Sequence, residues 1–275
     1  MAELKLVALD LDGTVLDPAR EVPIRAVVKN AVRRILDRGI AVTLATGRTN
    51  DYACVRALEL GIDCPLVTGQ GAMVAWPDGR VLQETLLGHA TARRLVEFSD
   101  AVGAQFSLYL RQPDGRLRIT LNRMVREPGY YLHLLGADTE VVADHLALLD
   151  SWPDQQRPVL AKIVWMSQDL AAEENWKKLV GAEVQIARSH PDLIEGAAVG
   201  VDKGTGLAIV LRHLGLLPEN LLAIGDAEND LPMFALAGTA VAMGHAPERV
   251  RAAADWIAPS FEQDGVAAAL DHYLP

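Results

Sequence analysis

The short apolar run Leu4-Lys5-Leu6-Val7-Ala8-Leu9 stops abruptly at Asp10-Leu11-Asp12-Gly13-Thr14, and the same event recurs near the other end of the chain. There Leu221-Leu222-Ala223-Ile224 gives way to Gly225-Asp226, with Asn229-Asp230 close behind. Short apolar runs of this kind read as strands buried on both faces. Such strands belong to parallel sheets covered by helices, and ligands bind beyond the carboxyl ends of those strands. Gly13 lets the backbone turn sharply near a ligand, and Thr14 offers a hydroxyl to fix the turn. Two acidic stretches at strand ends therefore point to an α/β fold. Together their four carboxylates suit a hard cation such as Mg²⁺ beside a phosphate, with one left over to attack it.

The pattern between these stretches extends the same reading. Ile24, Val27, Val28, Ala31, Val32 and Ile35 keep helical spacing, with Pro23 in the first turn and Gly39 as the stop. A second strand is expected over 40–45, a helix over 51–60 closed by Gly61, and a third strand over 65–68. This βαβαβ order predicts a parallel sheet with right-handed crossovers. The pattern then changes: Pro77-Asp78-Gly79 reads as a hairpin turn. Residues 87–191 read as an α+β insertion, with helices near 91–102, 139–149 and 170–180. Its strands are expected near 105–111, 117–121, 159–166 and 183–188, with a proline-containing loop over 151–158. Alternation then returns. Asp202 is a plausible N-cap for a helix stopped by Gly215, followed by a strand over 221–224 and a short helix over 231–236. A strand over 240–243 and a last helix over 263–272 complete it. The expected architecture is a Rossmann-like parallel-sheet core from 1–86 and 192–275, with an α+β cap inserted over 87–191.

Composition narrows the partners. The 275 residues are half hydrophobic, enough for a full core, and carry a formal net charge of −10. That charge argues against nucleic acid or an anionic membrane surface, which call for basic patches. A small anionic substrate stays compatible, because a metal reverses the local field. Cys54 and Cys64 are too few for a disulfide framework, and no signal segment or membrane-length apolar stretch is present, so a cytoplasmic protein is expected.

Thr46-Gly47-Arg48 follows the second strand and Lys203 opens a helix, so four chemistry-bearing groups sit at strand ends or a helix start. Each alone has an ordinary reading as a turn, a loop, a surface charge or a helix cap. Their joint order suits phosphoryl transfer. A carboxylate attacks phosphorus, and a hydroxyl, a backbone N–H, an ammonium and Mg²⁺ neutralise the transferring group.

The motifs Asp10-Leu11-Asp12-Gly13-Thr14, Ala45-Thr46-Gly47-Arg48, Asp202-Lys203-Gly204 and Gly225-Asp226-Ala227-Glu228-Asn229-Asp230-Leu231-Pro232-Met233 stand in a telling order. In this the chain resembles the haloacid dehalogenase-like hydrolases, and among them the Cof-type phosphatases with a large α/β cap. The resemblance implies that Asp10 is the nucleophile and a metal ligand. It implies that Asp12 is the general acid/base and binds Mg²⁺ through its backbone carbonyl. Thr46, Gly47 and Asn229 would bind the phosphate, with Lys203 neutralising both it and the attacking carboxylate. Asp226 would ligate Mg²⁺, and Asp230 would orient the metal's waters or Lys203. One departure is local. Many relatives carry Asn-Gly-Ala after the third strand, where this chain has Gly69-Gln70-Gly71-Ala72.

The resulting expectation is a Mg²⁺-dependent phosphatase of a small phosphorylated metabolite, a sugar phosphate or related phosphomonoester, acting through an aspartyl-phosphate. A phosphosugar mutase and a non-catalytic phosphosugar-binding protein are the alternatives. A dinucleotide dehydrogenase is disfavoured, because no Gly-x-Gly-x-x-Gly follows the first strand. The cap is expected to select the substrate, and its polar residues Arg111, Arg118, Arg123, Arg126, His133 and Lys162 include candidate contacts, none assigned.

Overall fold

The computed structural model describes residues 3–17, 23–112, 117–135, 139–151, 159–180, 182–190 and 192–275. The chain divides into two compact units, Met1–Glu84 with Asp202–Pro275, and Thr85–Val201.

In the first unit the elements run β1 (Leu6–Leu9), α1 (Ala26–Asp37), β2 (Ala41–Leu44), α2 (Asn50–Leu60), β3 (Leu66–Thr68), β4 (Met73–Ala75) and β5 (Val81–Glu84). The second unit follows with α3 (His89–Ala101), β6 (Gln105–Arg111), β7 (Leu117–Leu121), α4 (Pro128–Leu135), β8 (Glu140–Val141) and α5 (His145–Asp150). It ends with β9 (Val159–Met166), α6 (Leu170–Leu179), β10 (Val184–His190) and β11 (Leu193–Ala198). The chain then completes the first unit through α7 (Lys203–Leu214), β12 (Leu221–Gly225), α8 (Leu231–Leu236), β13 (Thr239–Ala242), α9 (Glu248–Arg251), β14 (Trp256–Ile257) and α10 (Gly265–Tyr273).

The first unit's main sheet has the order β14-β13-β12-β1-β2, with every pairing parallel. β1 and β12 are buried along their whole length, which is why both read as continuous apolar runs. Helix α1 turns Val28, Ala31, Val32 and Ile35 into the core, and α7 contributes Leu207, Val210 and Leu211. Two details depart from expectation. Pro23 lies ahead of α1, which is N-capped by Arg25 and so begins three residues later. β3 does not extend the parallel sheet: it meets the end of β2 through one parallel bridge, Ala45 to Val67, and pairs antiparallel with β4. The β4–β5 hairpin adds to its other edge and builds a separate three-stranded sheet.

The second unit is a six-stranded sheet in the order β10-β11-β9-β6-β7-β8. Alternation along β6 explains its two faces. Phe106, Leu108 and Leu110 pack with Leu95 and Val96 of α3, Leu149 of α5 and Trp165. Tyr109 packs with Ile119, Leu121, and Tyr131 and Leu135 of α4. The helix expected over 139–149 is instead β8 and a short α5. Val142 donates to the Leu121 carbonyl in the sheet, and Asp144 then caps the helix by accepting from the Ala147 N–H at 2.8 Å. β11 was not anticipated, because Glu195-Gly196 interrupts its apolar run. It pairs with both β9 and β10, so this unit continues to Val201 and not to the boundary expected at Pro191. The loop expected over 151–158 lies outside the described residues apart from Ser151, as does the side chain of His133. Among the described residues no helix is long and apolar enough to cross a membrane.

Candidate active site

β1 lies between β12 and β2, so the loops after those strands flank the end of β1, where Asp10 sits. The Asp10 N–H donates to the Ile224 carbonyl at 3.0 Å, which fixes the backbone as the strand ends. Its carboxylate is buried and accepts from Lys203 Nζ at 2.6 Å on Oδ1. The same ammonium donates to Asp230 Oδ1 at 2.5 Å. Asp230 Oδ2 in turn accepts from the backbone N–H groups of Asp226 at 2.8 Å and Ala227 at 2.9 Å. Both Asp230 oxygens are therefore committed to holding Lys203 and the turn after β12.

Asp226 faces the same place. Its Oδ1 accepts from the Thr14 hydroxyl at 3.0 Å, tying the loops after β1 and β12 together. Gly13 has φ +87° and its backbone runs against this carboxylate, where a Cβ would overlap it. Lys203 is the first residue of α7, and Asp202 just before it is the N-cap that sets where the helix starts. The Asp202 side chain accepts from the Thr205 N–H at 2.7 Å, and the Thr205 hydroxyl engages the Asp202 backbone in return.

The electrostatics follow from burial. Desolvation, above all, raises the Asp10 carboxyl well above the usual carboxylate range, with Asp230, Asp226 and Asp12 adding to the rise and Lys203 opposing it. Burial likewise raises Asp230. Burial opposes the Lys203 ammonium too, but Asp10 and Asp230 outweigh it and hold its proton more firmly than usual. Asp10, Asp226 and Asp230 each place a carboxylate oxygen within 4.8 Å of the others. Three carboxylates converge while Lys203 pairs with only two of them, and this excess of negative charge in oxygen ligands fits a hard divalent cation. Since Asp230 is spent on Lys203 and two amides, Asp10 and Asp226 are the carboxylates suited to ligation.

The Asp12 carboxylate does not join this cluster. Arg48 holds it in a two-pronged pair, with Nε at 2.8 Å from Oδ2 and Nη2 at 2.7 Å from Oδ1. The Arg48 guanidinium in turn lies over the Tyr52 ring at 5.0 Å. Buried Thr46 accepts from the Arg48 N–H on Oγ1 at 3.1 Å. Asn229 Nδ2 donates to Gln70 Oε1 at 3.2 Å, joining the loops after β12 and β3. The structure thus gathers Asp10, Lys203, Asp226 and Asp230 into one cluster, and sets Asp12 on Arg48 and Asn229 on Gln70.

Sequence reasoning missed His245. Its Nε2 lies 3.6 Å from Asp226 Oδ2, too long for a hydrogen bond, and its Nδ1 accepts from the Phe261 N–H at 3.3 Å. Asp226 raises the pKa of this imidazole. The available signal was position, since His245 follows β13 as Asp226 follows β12.

A parallel sheet with acidic strand ends around a buried lysine defines an α/β fold whose site suits phosphoryl transfer. The family model for haloacid dehalogenase-like hydrolases matches residues 7–133 and 137–270. The chain belongs to that family and is a phosphoric monoester hydrolase within it. It is 29% identical over 272 residues to the 5-amino-6-(5-phospho-D-ribitylamino)uracil phosphatase YcsE of Bacillus subtilis, covering 99% of this chain and 96% of that protein. It is 28% identical over 277 residues to a phosphoglycolate phosphatase of Methanoculleus marisnigri, covering 99% of this chain and 97% of that one. A crystal structure of a haloacid dehalogenase-like hydrolase from Bacteroides thetaiotaomicron superposes with a TM-score of 0.83 at 26% identity, covering 99% of this chain and all of that chain.

Proposed function

We propose that this protein is a Mg²⁺-dependent phosphatase that hydrolyses a small phosphorylated metabolite, a sugar phosphate or related phosphomonoester, in the cytoplasm. The observation that carries this reading is the buried Lys203 ammonium bridging Asp10 and Asp230, with Asp226 converging on the same point. The names of the two relatives, each a phosphatase of a small phosphorylated compound, support it.

The residues divide the chemistry as follows. Asp10 attacks phosphorus, and the bond to the leaving oxygen breaks as Asp12 delivers a proton to that oxygen. In the second half Asp12 takes a proton from water, whose oxygen attacks the phosphorus of phospho-Asp10. Orthophosphate leaves, and Asp10 regains its carboxylate. A nucleophilic Asp10 must be ionised, yet burial favours its neutral form. Lys203 counters that, and Asp230 keeps Lys203 aimed. Asp10, Asp226 and the Asp12 backbone carbonyl would hold Mg²⁺, which would supply the remaining positive charge for the transferring phosphoryl group. Thr46, Gly47 and Asn229 orient that group, and Arg48, which engages both Asp12 oxygens, must release one of them before Asp12 can carry a proton.

The test is a phosphate-release screen over a panel of phosphorylated metabolites. Release should occur with Mg²⁺, cease with EDTA and return when Mg²⁺ is restored. Asp226→Ala should need more Mg²⁺ or lose activity altogether. Full turnover by metal-free enzyme would overturn the metal assignment, and return of the phosphoryl group to substrate without free phosphate would mark a mutase.

A further inference from the structure

Gln70 adopts a backbone conformation that a glutamine rarely takes. It has φ 61° and ψ 24° in the turn Gly69-Gln70-Gly71, where both flanking glycines also have positive φ. Among the described residues only Asp264 is another non-glycine with positive φ. Such a conformation is costly for a side chain without the short polar reach of Asn or Asp. Nothing in the turn itself requires a glutamine, because glycine would fit the same φ without strain.

The surroundings show what the conformation achieves. The Gln70 N–H donates to the Thr46 carbonyl at 3.0 Å, and the Gly69 N–H to the Arg48 carbonyl at 2.9 Å, so the turn is tied to the loop after β2. Its side chain crosses the space beside Gly47, whose missing Cβ would lie 2.7 Å from Gln70 Nε2. Beyond Gly47, Gln70 Oε1 accepts from Asn229 Nδ2 of the loop after β12. The Gln70 amide therefore bridges the loops on either side of β1. With Oε1 committed to Asn229, Nε2 is left to donate. Asn229 Oδ1 is buried with no hydrogen-bond partner among the described residues, which marks the same spot as built for a further polar group.

We propose that Gln70 is a binding residue for the phosphoryl group, donating from Nε2 to one of its oxygens, with Asn229 holding the amide in that orientation. This rests on the phosphatase reading and adds a contact to it. The strained turn is the means by which the amide reaches the oxygen.

The test uses the full chain with Mg²⁺ and inorganic phosphate as the probe, followed by calorimetry and by competitive inhibition of phosphomonoester hydrolysis. Gln70→Gly removes the amide and suits the backbone; Gln70→Ala removes it and keeps the strain. Both should weaken orthophosphate binding about ten-fold or more, as expected for a hydrogen bond to an anion. KM for phosphomonoesters should rise by a similar factor, and kcat should fall less. Gln70→Gly should melt within a few degrees of the parent, while Gln70→Ala melts lower. Unchanged orthophosphate affinity in a folded Gln70→Gly protein would overturn the proposal, including the case where KM alone rises and the contact belongs to the leaving group. If the parent hydrolyses no phosphomonoester, the phosphatase reading fails, and the orthophosphate titration still decides the role of Gln70.

Discussion

Asp10 is a carboxylate that its surroundings both need and oppose. It is buried, burial and three other carboxylates push it toward its neutral form, and one ammonium opposes that shift. Replacing it with its neutral near-isostere separates these effects. Asp10→Asn should lower phosphate release about 10³-fold or more, since the nucleophile is gone. It should leave the melting temperature unchanged or raise it, because a buried amide avoids the desolvation and repulsion that the carboxylate carries. Lys203 keeps Asp230 as a partner at 2.5 Å, so the ammonium is not stranded. Turnover at the parental rate would assign the nucleophile to another group, and a large fall in melting temperature would show that Asp10 is chiefly structural.

Two helix starts carry the element-scale consequences. The capping box of α7 satisfies the first turn and also fixes where Lys203 leaves the backbone. Asp202→Ala should cost about 1 kcal/mol of stability. It should also lower kcat by more than that loss explains, because the neighbouring ammonium is released from its aim; denaturant melts and steady-state kinetics check both. In the second unit, His145 opens α5 as a buried imidazole. Its Nε2 lies 2.9 Å from Thr120 Oγ1, and its ring lies 5.0 Å from that of Phe106. Burial pulls its pKa down to about 4, with Arg118 adding to the fall and Asp144 and Glu140 opposing it. The unfolded chain binds this proton near pH 6.5 and the folded chain only near 4. His145 thus contributes stability above 6.5 that is lost as pH falls toward 4. His145→Gln should flatten that part of the pH–stability curve, read by thermal melts between pH 7 and 4. A variant that melts in parallel with the parent across that range would remove His145 from the acid response.

At the scale of the molecule, the residues proposed to handle phosphate all fall within one unit, at Asp10, Thr46, Lys203 and Asp226, while Thr85–Val201 forms a second unit with its own sheet and cores. A site that grips only a phosphoryl group cannot tell one metabolite from another. The insertion is therefore expected to choose the substrate. Exchanging Thr85–Val201 for the matching segment of a relative with another preference should transfer that preference and keep the Mg²⁺ requirement. A folded chimera that kept the parent's ranking across the metabolite panel would put selection in the first unit, where Arg48 and Gln70 are the residues to change next.

The parallel core and its acidic strand ends were legible because their causes are local. β1 and β12 announce themselves as unbroken apolar runs, and Asp202 and Gly215 bracket α7 by their own backbone preferences. The second unit was less legible. β8 and β11 are short or interrupted by polar residues and exist because neighbouring strands complete their hydrogen bonds, while the short α4 packs Tyr131 and Leu135 against Tyr109, Ile119 and Leu121. The hairpin that β3 forms with β4 likewise places it in a separate sheet, an outcome the apolar run of β3 alone did not reveal. At the site, the residue types and their order came from the sequence. Their division of labour came from the fold. Asp230 spends both oxygens on Lys203 and the turn after β12, Asp12 lies in the fork of Arg48, and Gln70 is held in a left-handed turn against Gly47. Each of these depends on loops from different strands meeting at the carboxyl end of the sheet, and local sequence preference carries no record of that meeting.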